Sequence, residues 1–208
     1  TKIDGTVGRL VAGGNMLFVS TIEGHLYAFG AGETAPLVYD SRPATEPRIA
    51  QAERAEAKAA LRAAGVDGGY ALFYGARDAG LPEALALASN LRVSVIEPNA
   101  AKAKNMRRTW DAAGIYGARL SLQLVDPMDA NTPAYMSSLT VVDEAAAPYV
   151  RDEAFLRGVF ESLRPYGGTA LFRAGSVPAR DIAQTISALD LANARVETRG
   201  GDVLLVRE

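Results

Sequence analysis

Apolar residues along this chain recur with two different periods, and segments of the two kinds alternate from residue 66 onward. Short apolar runs, such as YALFY at 70–74, are too brief for helices and predict strands buried on both faces. Segments with apolar residues three or four positions apart, such as 152–164, predict helices. The predicted strands are 70–74, 92–97, 119–124, 138–142, 169–173, 194–199 and 202–207, and the predicted helices are 46–64, a segment opened by Pro82 and Glu83, 100–113, 152–164 and 178–189.

From residue 66 the predicted order is β-α-β-α-β-β-α-β-α-β-β. Alternation of this kind predicts an α/β Rossmann-like fold, with a mostly parallel sheet and helices on both faces. The last two strands flank Gly200-Gly201 and predict a C-terminal antiparallel hairpin, so one strand of the sheet should be reversed. Asn99 and Asp152 stand where an N-cap would open the helices that follow them.

Residues 1–30 have a different pattern, with three short strand candidates at 8–13, 15–21 and 25–30. Gly14-Asn15 and Glu23-Gly24 separate them and suit tight hairpin turns. We therefore expect a short N-terminal β-meander, which either decorates the main sheet or is a piece of a larger repeat structure. Residues 31–45 are rich in Gly, Pro and small polar residues and predict a linker to a domain at 46–208.

Composition excludes several classes of function. The 208 residues contain no cysteine and one histidine, His25, which rules out thiolate and histidine-rich metal sites and argues against a Ser-His-Asp triad. A net charge of −2 offers no electrostatic basis for binding nucleic acid or an anionic membrane surface. No apolar run reaches membrane-spanning length. The chain begins at Thr1 without methionine, so we expect a fragment of a longer protein.

The candidate chemistry lies where the predicted strands end. Gly75 and Gly80 stand in a strand-to-helix turn, and the N-terminus of the helix that follows can attract an anionic group. Glu97 follows the next strand, where a carboxylate can accept hydrogen bonds from a ribose diol. Asp126 follows the third strand, where a carboxylate can accept from the exocyclic amine of adenine, and Asp143 follows the fourth. Each of these carboxylates could equally be a solvated loop residue.

Together with the terminal hairpin, this pattern resembles the class I S-adenosylmethionine-dependent methyltransferases over residues 66–208. The resemblance implies S-adenosylmethionine as cofactor and no metal. It implies that the turn 75–80 faces the methionine part, that Glu97 holds the ribose, and that Asp126 with Met128 brackets the adenine. Residues 141–145, including Asp143, would line the side where substrate enters.

The sequence departs from the family's glycine motif. Phe73 stands at the acidic position, and Arg77 and Ala79 stand where the second and third glycines belong. Asp78 and Gly80 are the candidates to compensate. The family's Asn/Asp-Pro-Pro-Tyr motif is missing after 138–142, so neither the methyl acceptor nor a general base is assigned.

A second resemblance concerns residues 15–29, NMLFVSTIEGHLYAF, which look like part of one repeat of the pyrroloquinoline-quinone-type β-propellers. One repeat cannot close a propeller, so the resemblance implies that the remaining blades of the parent chain are its partners. It implies no quinone site. The stretches 97–102 and 113–117 also look like methyltransferase domains inserted in propeller-repeat proteins.

Three hypotheses follow. The first is a methyltransferase-like domain of a larger propeller-repeat protein, with an unknown acceptor. The alternative is a degenerate Rossmann-like interaction or scaffold module that has lost its cofactor, which the altered glycine motif favours. A nicotinamide dehydrogenase fits less well because the G-x-G-x-x-G spacing is missing. An active methyltransferase implies the cytoplasm and a propeller context implies export, so the compartment stays open.

Overall fold

The computed structural model of the chain describes residues 2–32, 46–47, 49–173 and 175–208. It divides into two compact units, Thr1–Arg42 and Pro43–Glu208. The predicted linker at 31–45 lies almost entirely outside the described residues.

The first unit contains an antiparallel sheet of three strands in the order β1-β2-β3. These strands are β1 (Val7–Gly13), β2 (Met16–Thr21) and β3 (Leu26–Gly30). Gly14 and Asn15 both have positive φ, at 57° and 58°, as a tight hairpin turn between β1 and β2 requires. The predicted N-terminal meander is confirmed, and its strands pair with one another rather than with the main sheet.

The second unit has the predicted order of strands and helices. Its elements are α1 (Gln51–Ala64), β4 (Gly68–Tyr74), α2 (Gly80–Ala88), β5 (Asn90–Ile96), α3 (Ala100–Ala112), β6 (Leu120–Gln123), β7 (Ser137–Val142), a 3₁₀ helix (Glu144–Tyr149), α4 (Glu153–Ser162), β8 (Gly168–Phe172), α5 (Ala179–Ala188), β9 (Ala194–Arg199) and β10 (Asp202–Arg207).

Three local predictions need correction. The first helix begins at Gln51 rather than at residue 46. At this N-terminus the Glu53 carboxylate accepts from the backbone N–H of Ala50 at 2.9 Å. The second helix begins at Gly80, two residues before Pro82. Proline is tolerated at this position because the N–H groups of the first helical turn have no partner within the helix. The 3₁₀ helix was not predicted, since its sequence EAAAPY has no strong apolar period.

The seven strands form one sheet in the order β6-β5-β4-β7-β8-β10-β9. The pairs from β6 to β8 are parallel, and β10 is antiparallel to both of its neighbours. The chain therefore winds outward from β4 in one direction to β6 and then returns to β7 on the other side. The gap between the ends of β4 and β7 is the topological switch point, where ligands bind in open α/β sheets.

Two apolar clusters cover the two faces of the sheet. One contains residues of α1, α2 and α3, and the other contains residues of α4 and α5. Local signals open two of these helices as predicted, because Asn99 accepts from the N–H of Lys102 and Asp152 from the N–H of Phe155, both at 3.0 Å. Among the described residues, no helix is both long enough and apolar enough to cross a membrane.

Candidate functional site

The turn after β4 begins at Gly75, directly at the switch point. Gly75 has φ of +67°, which favours glycine, and a Cβ there would collide with the backbone nitrogen of Ala146 in the 3₁₀ helix. The chain's own packing therefore requires glycine at this position. The carbonyl of Tyr74 accepts from the N–H of Asp143 at 2.9 Å, so the ends of β4 and β7 are joined here.

Asp143 is only 1% exposed and lies in a network of charges. Its carboxylate accepts from the backbone N–H of Arg77 at 3.2 Å and from Nη1 of Arg173 at 3.1 Å. Glu56 of α1 closes the network, with its Oε2 at 2.8 Å from Arg77 Nη2 and 3.0 Å from Arg173 Nη1. Burial lowers the pKa of Arg77, but the charges of Asp143 and Glu56 outweigh it and raise that pKa.

Asp78 and Gly80 of the same turn are bonded to each other. Asp78 is exposed, and its Oδ1 accepts from the N–H of Gly80 at 2.8 Å. Thus the N–H groups of Arg77 and Gly80 both point at carboxylates of the chain. Glu53 of α1 packs where a Cβ on Gly80 would lie.

Glu97 directly follows β5 and is 2% exposed. Its Oε1 accepts from the N–H of Asn99 at 2.9 Å, and its Oε2 lies 2.8 Å from Nζ of Lys102. The same Nζ donates to the carbonyl of Ala76 at 2.7 Å. Lys102 therefore links the ribose-binding candidate to the turn after β4.

Asp126 follows β6 and has two hydrogen bonds to the chain. Its Oδ1 accepts from the N–H of Met128 at 2.9 Å, and its Oδ2 accepts from the Tyr149 hydroxyl at 3.0 Å. The Met128 side chain is exposed. The pKa of Tyr149 is raised by burial, by the hydrogen bond to Asp126 and by the charges of Asp126 and Glu97. Tyr149 therefore lies within electrostatic reach of both carboxylates, which share one part of the sheet edge.

The structure thus divides the three predicted carboxylates into two groups. Glu97 and Asp126 lie near Tyr149, whereas Asp143 lies in the arginine network. The Arg77 side chain pairs with Asp143 and Glu56.

Sequence reasoning missed four residues of this edge: Glu56, Lys102, Tyr149 and Arg173. Lys102 had a local signal, because it stands on the first turn of the helix that follows Glu97. Glu56, Tyr149 and Arg173 had none, since they come from α1, the 3₁₀ helix and the end of β8.

The donor set at Glu97 and Asp126 fits the adenosine half of S-adenosylmethionine. Two carboxylates at adjacent strand ends can accept from ribose hydroxyls and from an exocyclic amine. The methionine half fits less directly, because the amides of Arg77 and Gly80 already have partners. Lys102 and Arg77 are cations beside that turn. Within the described ranges, no group of three or more His, Asp or Glu side chains could hold a metal ion.

No protein-family model and no curated protein sequence matches the chain. Solved structures do match its fold. A putative S-adenosylmethionine-dependent methyltransferase from Methanococcus maripaludis superposes with a TM-score of 0.62 at 11% identity, over 75% of this chain and 84% of that one. A geranyl diphosphate methyltransferase in complex with S-adenosylmethionine superposes with a TM-score of 0.56 at 14% identity, over 74% and 83%.

The [4+2]-cyclase SpnF has the same fold, with a TM-score of 0.59 at 15% identity over 74% of this chain and 63% of that one. Identities this low establish architecture and leave the chemistry to the site. The strand order, the reversed β10 and these neighbours agree. The chain has the Rossmann-like fold of the class I S-adenosylmethionine-dependent methyltransferases.

Proposed function

We propose that residues 46–208 bind S-adenosylmethionine and transfer its methyl group to an acceptor. The observation that carries this proposal is the placement of Glu97 and Asp126 after the paired strands β5 and β6, on one side of the switch point. The fold neighbours support the same cofactor.

In this proposal the adenosine half lies over β5 and β6. Glu97 accepts from the ribose hydroxyls through the lone pairs that Asn99 and Lys102 leave available. Asp126 accepts from the adenine amine, and the exposed Met128 side chain covers one face of the ring. Tyr149 competes with the amine for Asp126 Oδ2, since its hydroxyl donates to that oxygen.

The methionine half lies against the turn that contains Gly75, Asp78 and Gly80. When bound, the cofactor supplies an activated methyl group on a sulfonium. The chain's part is to align that methyl with the acceptor, which can supply much of the rate enhancement without a general base. Asp143 acts as a positioning residue, because it holds Arg77 and thereby the turn.

A non-catalytic module of the same fold is the second candidate. One observation favours it: Arg77 and Ala79 replace glycines, and the amides of Arg77 and Gly80 are bonded to Asp143 and Asp78. With these two N–H donors already bonded within the chain, the turn has fewer groups to offer a cofactor.

Isothermal titration calorimetry with S-adenosylmethionine and S-adenosylhomocysteine separates the two candidates. Binding to the wild-type chain is expected, and Asp126→Asn should weaken it by about tenfold because an amide N–H₂ would face the adenine amine. Asp129→Asn, on an exposed residue of the same loop, is the matched control and should leave affinity unchanged. No heat and no thermal shift at millimolar ligand would favour the non-catalytic module.

We also propose that β1–β3 are part of a propeller-type repeat whose other blades belong to a longer parent chain. Both faces of this sheet expose apolar side chains: Leu10 and Leu17 on one, Val11 and Leu26 on the other. A sheet inside a propeller is covered on both faces. The sequence of the full open reading frame that contains this chain tests the proposal. Further copies of the 15–29 pattern are expected in it, and their absence would contradict the proposal.

A further inference from the structure

A cavity of about 300 Å³ lies beneath α1, on the half of the sheet away from Glu97 and Asp126. Alanines of α1 create the space, since small side chains there face leucines and a valine of β7, β8 and β10. The residues that form this aliphatic interior are Ala59, Ala60, Ala63, Val141, Leu171 and Leu204. Because the side chains that line this cavity are mostly apolar, an apolar ligand can pack against them without leaving polar groups unpaired. Such a cavity therefore favours an apolar ligand.

The charged groups at the rim of this cavity already have partners. Glu56 and Arg173 belong to the Asp143 network. Arg199 lies 3.2 Å from Glu197, and Asp202 also has an interaction partner. A charged ligand would lose hydration here without meeting an unpaired countercharge among these residues, which is costly.

The cavity adjoins the turn that follows β4. Glu56 and Arg173 line it and also bond to Arg77 and Asp143, respectively. The cavity and the turn against which the methionine end of the cofactor is proposed to lie therefore share Glu56 and Arg173 as neighbouring residues.

We propose that this cavity holds the body of the methyl acceptor, and that the acceptor is an uncharged, mostly apolar small molecule. This inference rests on the proposed function. The volume is at the lower end of the range for ligand pockets, roughly 300–1,000 Å³, which corresponds to a compact molecule such as a small aromatic.

Methyl-labelled NMR spectra of the whole chain test the binding step. Indole is the neutral probe, and indole-3-acetate and tryptamine are its anionic and cationic counterparts. Indole is expected to shift the methyl signals of Val141, Leu171 and Leu204, and each charged probe should bind about tenfold more weakly or worse. Equal affinity for all three probes, or indole shifts confined to other methyl groups, would overturn the inference.

Ala63→Phe fills the cavity and should weaken indole binding by about tenfold or more. Ala55→Phe makes the same change on an exposed residue of α1 and should leave indole affinity unchanged. If the Ala63→Phe variant is unfolded, Ala63→Leu is the milder substitution and should give a smaller loss in the same direction. Unchanged indole affinity in the folded variant would contradict the proposed site.

Titration with S-adenosylhomocysteine separates this inference from the proposed function. Ala63→Phe is expected to keep wild-type affinity for S-adenosylhomocysteine. If the wild type binds that ligand while indole leaves Leu171 and Leu204 unshifted, the acceptor inference fails alone. If indole binds but S-adenosylhomocysteine does not, the proposed function fails, and the assignment of the cavity to a methyl acceptor fails with it.

Discussion

Glu97 and Asp143 occupy equivalent places, since each follows a parallel strand and is almost completely buried. Their partners differ. Glu97 pairs with one cationic side chain, that of Lys102. Asp143 is held by two arginines and a backbone N–H, with Glu56 completing the network.

This difference shows that a position at a strand end is not enough to make a carboxylate a ligand-binding group. With a single cation as partner, Glu97 retains lone pairs for ribose hydroxyls. Asp143 is bonded to two arginines that both also pair with Glu56 of α1, which makes it part of the framework that holds the turn. We therefore expect substitution of Asp143 to reduce mainly the stability of the chain, and substitution of Glu97 to reduce mainly its affinity for the ligand.

The largest effect should come from Asp143→Asn. Removing its charge leaves Arg77 and Arg173 with Glu56 alone. Because the Arg77 and Glu56 side chains are partly exposed, the cost should be about 3 kcal/mol, the lower end of the range for breaking a buried ion pair. Urea denaturation followed by circular dichroism measures the loss. Asp78→Asn, on an exposed residue of the same turn that can still accept from Gly80, should cost much less. A loss no greater than that of Asp78→Asn would refute the framework role.

When ligand binding is measured instead of stability, Glu97→Gln should have a larger effect than Asp143→Asn. A ribose hydroxyl bonded to a charged acceptor contributes about 1.5–3 kcal/mol, so affinity for S-adenosylhomocysteine should fall roughly ten- to hundredfold. The cost in stability should be smaller than for Asp143→Asn, because Glu97 pairs with one cationic side chain and Asp143 with two. Calorimetry and urea denaturation of both variants give the comparison. If Asp143→Asn weakens binding more than Glu97→Gln does, the proposed division of roles is wrong.

Glu83 on α2 extends the comparison to a buried carboxylate that forms no ion pair with any residue the structure describes. It is 3% exposed, and its Oε1 has no hydrogen-bond partner in the described part of the chain. Burial, and next the charge of Glu53, raise its pKa above the usual 4.5. The folded state therefore binds more protons than the unfolded state, and the free energy of unfolding falls as pH rises from 4.5 through the raised pKa.

Glu83→Gln should remove that loss and stabilise the chain by about 1 kcal/mol or more at pH 8, with little effect below pH 4. Thermal unfolding across this pH range measures it. Glu153→Gln, an exposed first-turn glutamate of α4, is the matched control and should leave the pH dependence unchanged. A destabilised Glu83→Gln variant at pH 8 would show that the charged form is needed.

The smallest effect should come from Tyr149→Phe. Loss of the hydroxyl removes one hydrogen bond to Asp126, which contributes about 0.5–1.5 kcal/mol to stability. Because Tyr149 competes for Asp126 Oδ2, affinity for the adenosine ligand should rise slightly. The difference in ultraviolet absorbance between wild type and variant during alkaline titration should show one tyrosine ionising above the usual pKa of 10.0. Weaker binding by the variant would make Tyr149 a ligand contact instead.

Sequence patterns predicted most of the architecture because they report local physics. Apolar runs and helical spacing depend on neighbouring residues, and so do the N-caps at Asn99 and Asp152. The hairpin at 194–207 was located by its glycine pair. The 3₁₀ helix escaped prediction because its stability comes from contacts with the turn after β4, not from its own periodicity.

The sequence by itself therefore determined the order of elements, the fold class and the placement of three carboxylates at strand ends. Only the tertiary structure decided their partners: Lys102 for Glu97, Tyr149 for Asp126, and Arg77 with Arg173 for Asp143. The last of these joins residues 66 and 30 positions away from Asp143. Packing between distant elements brings such groups together, and no local pattern of polarity or spacing records which charges will meet.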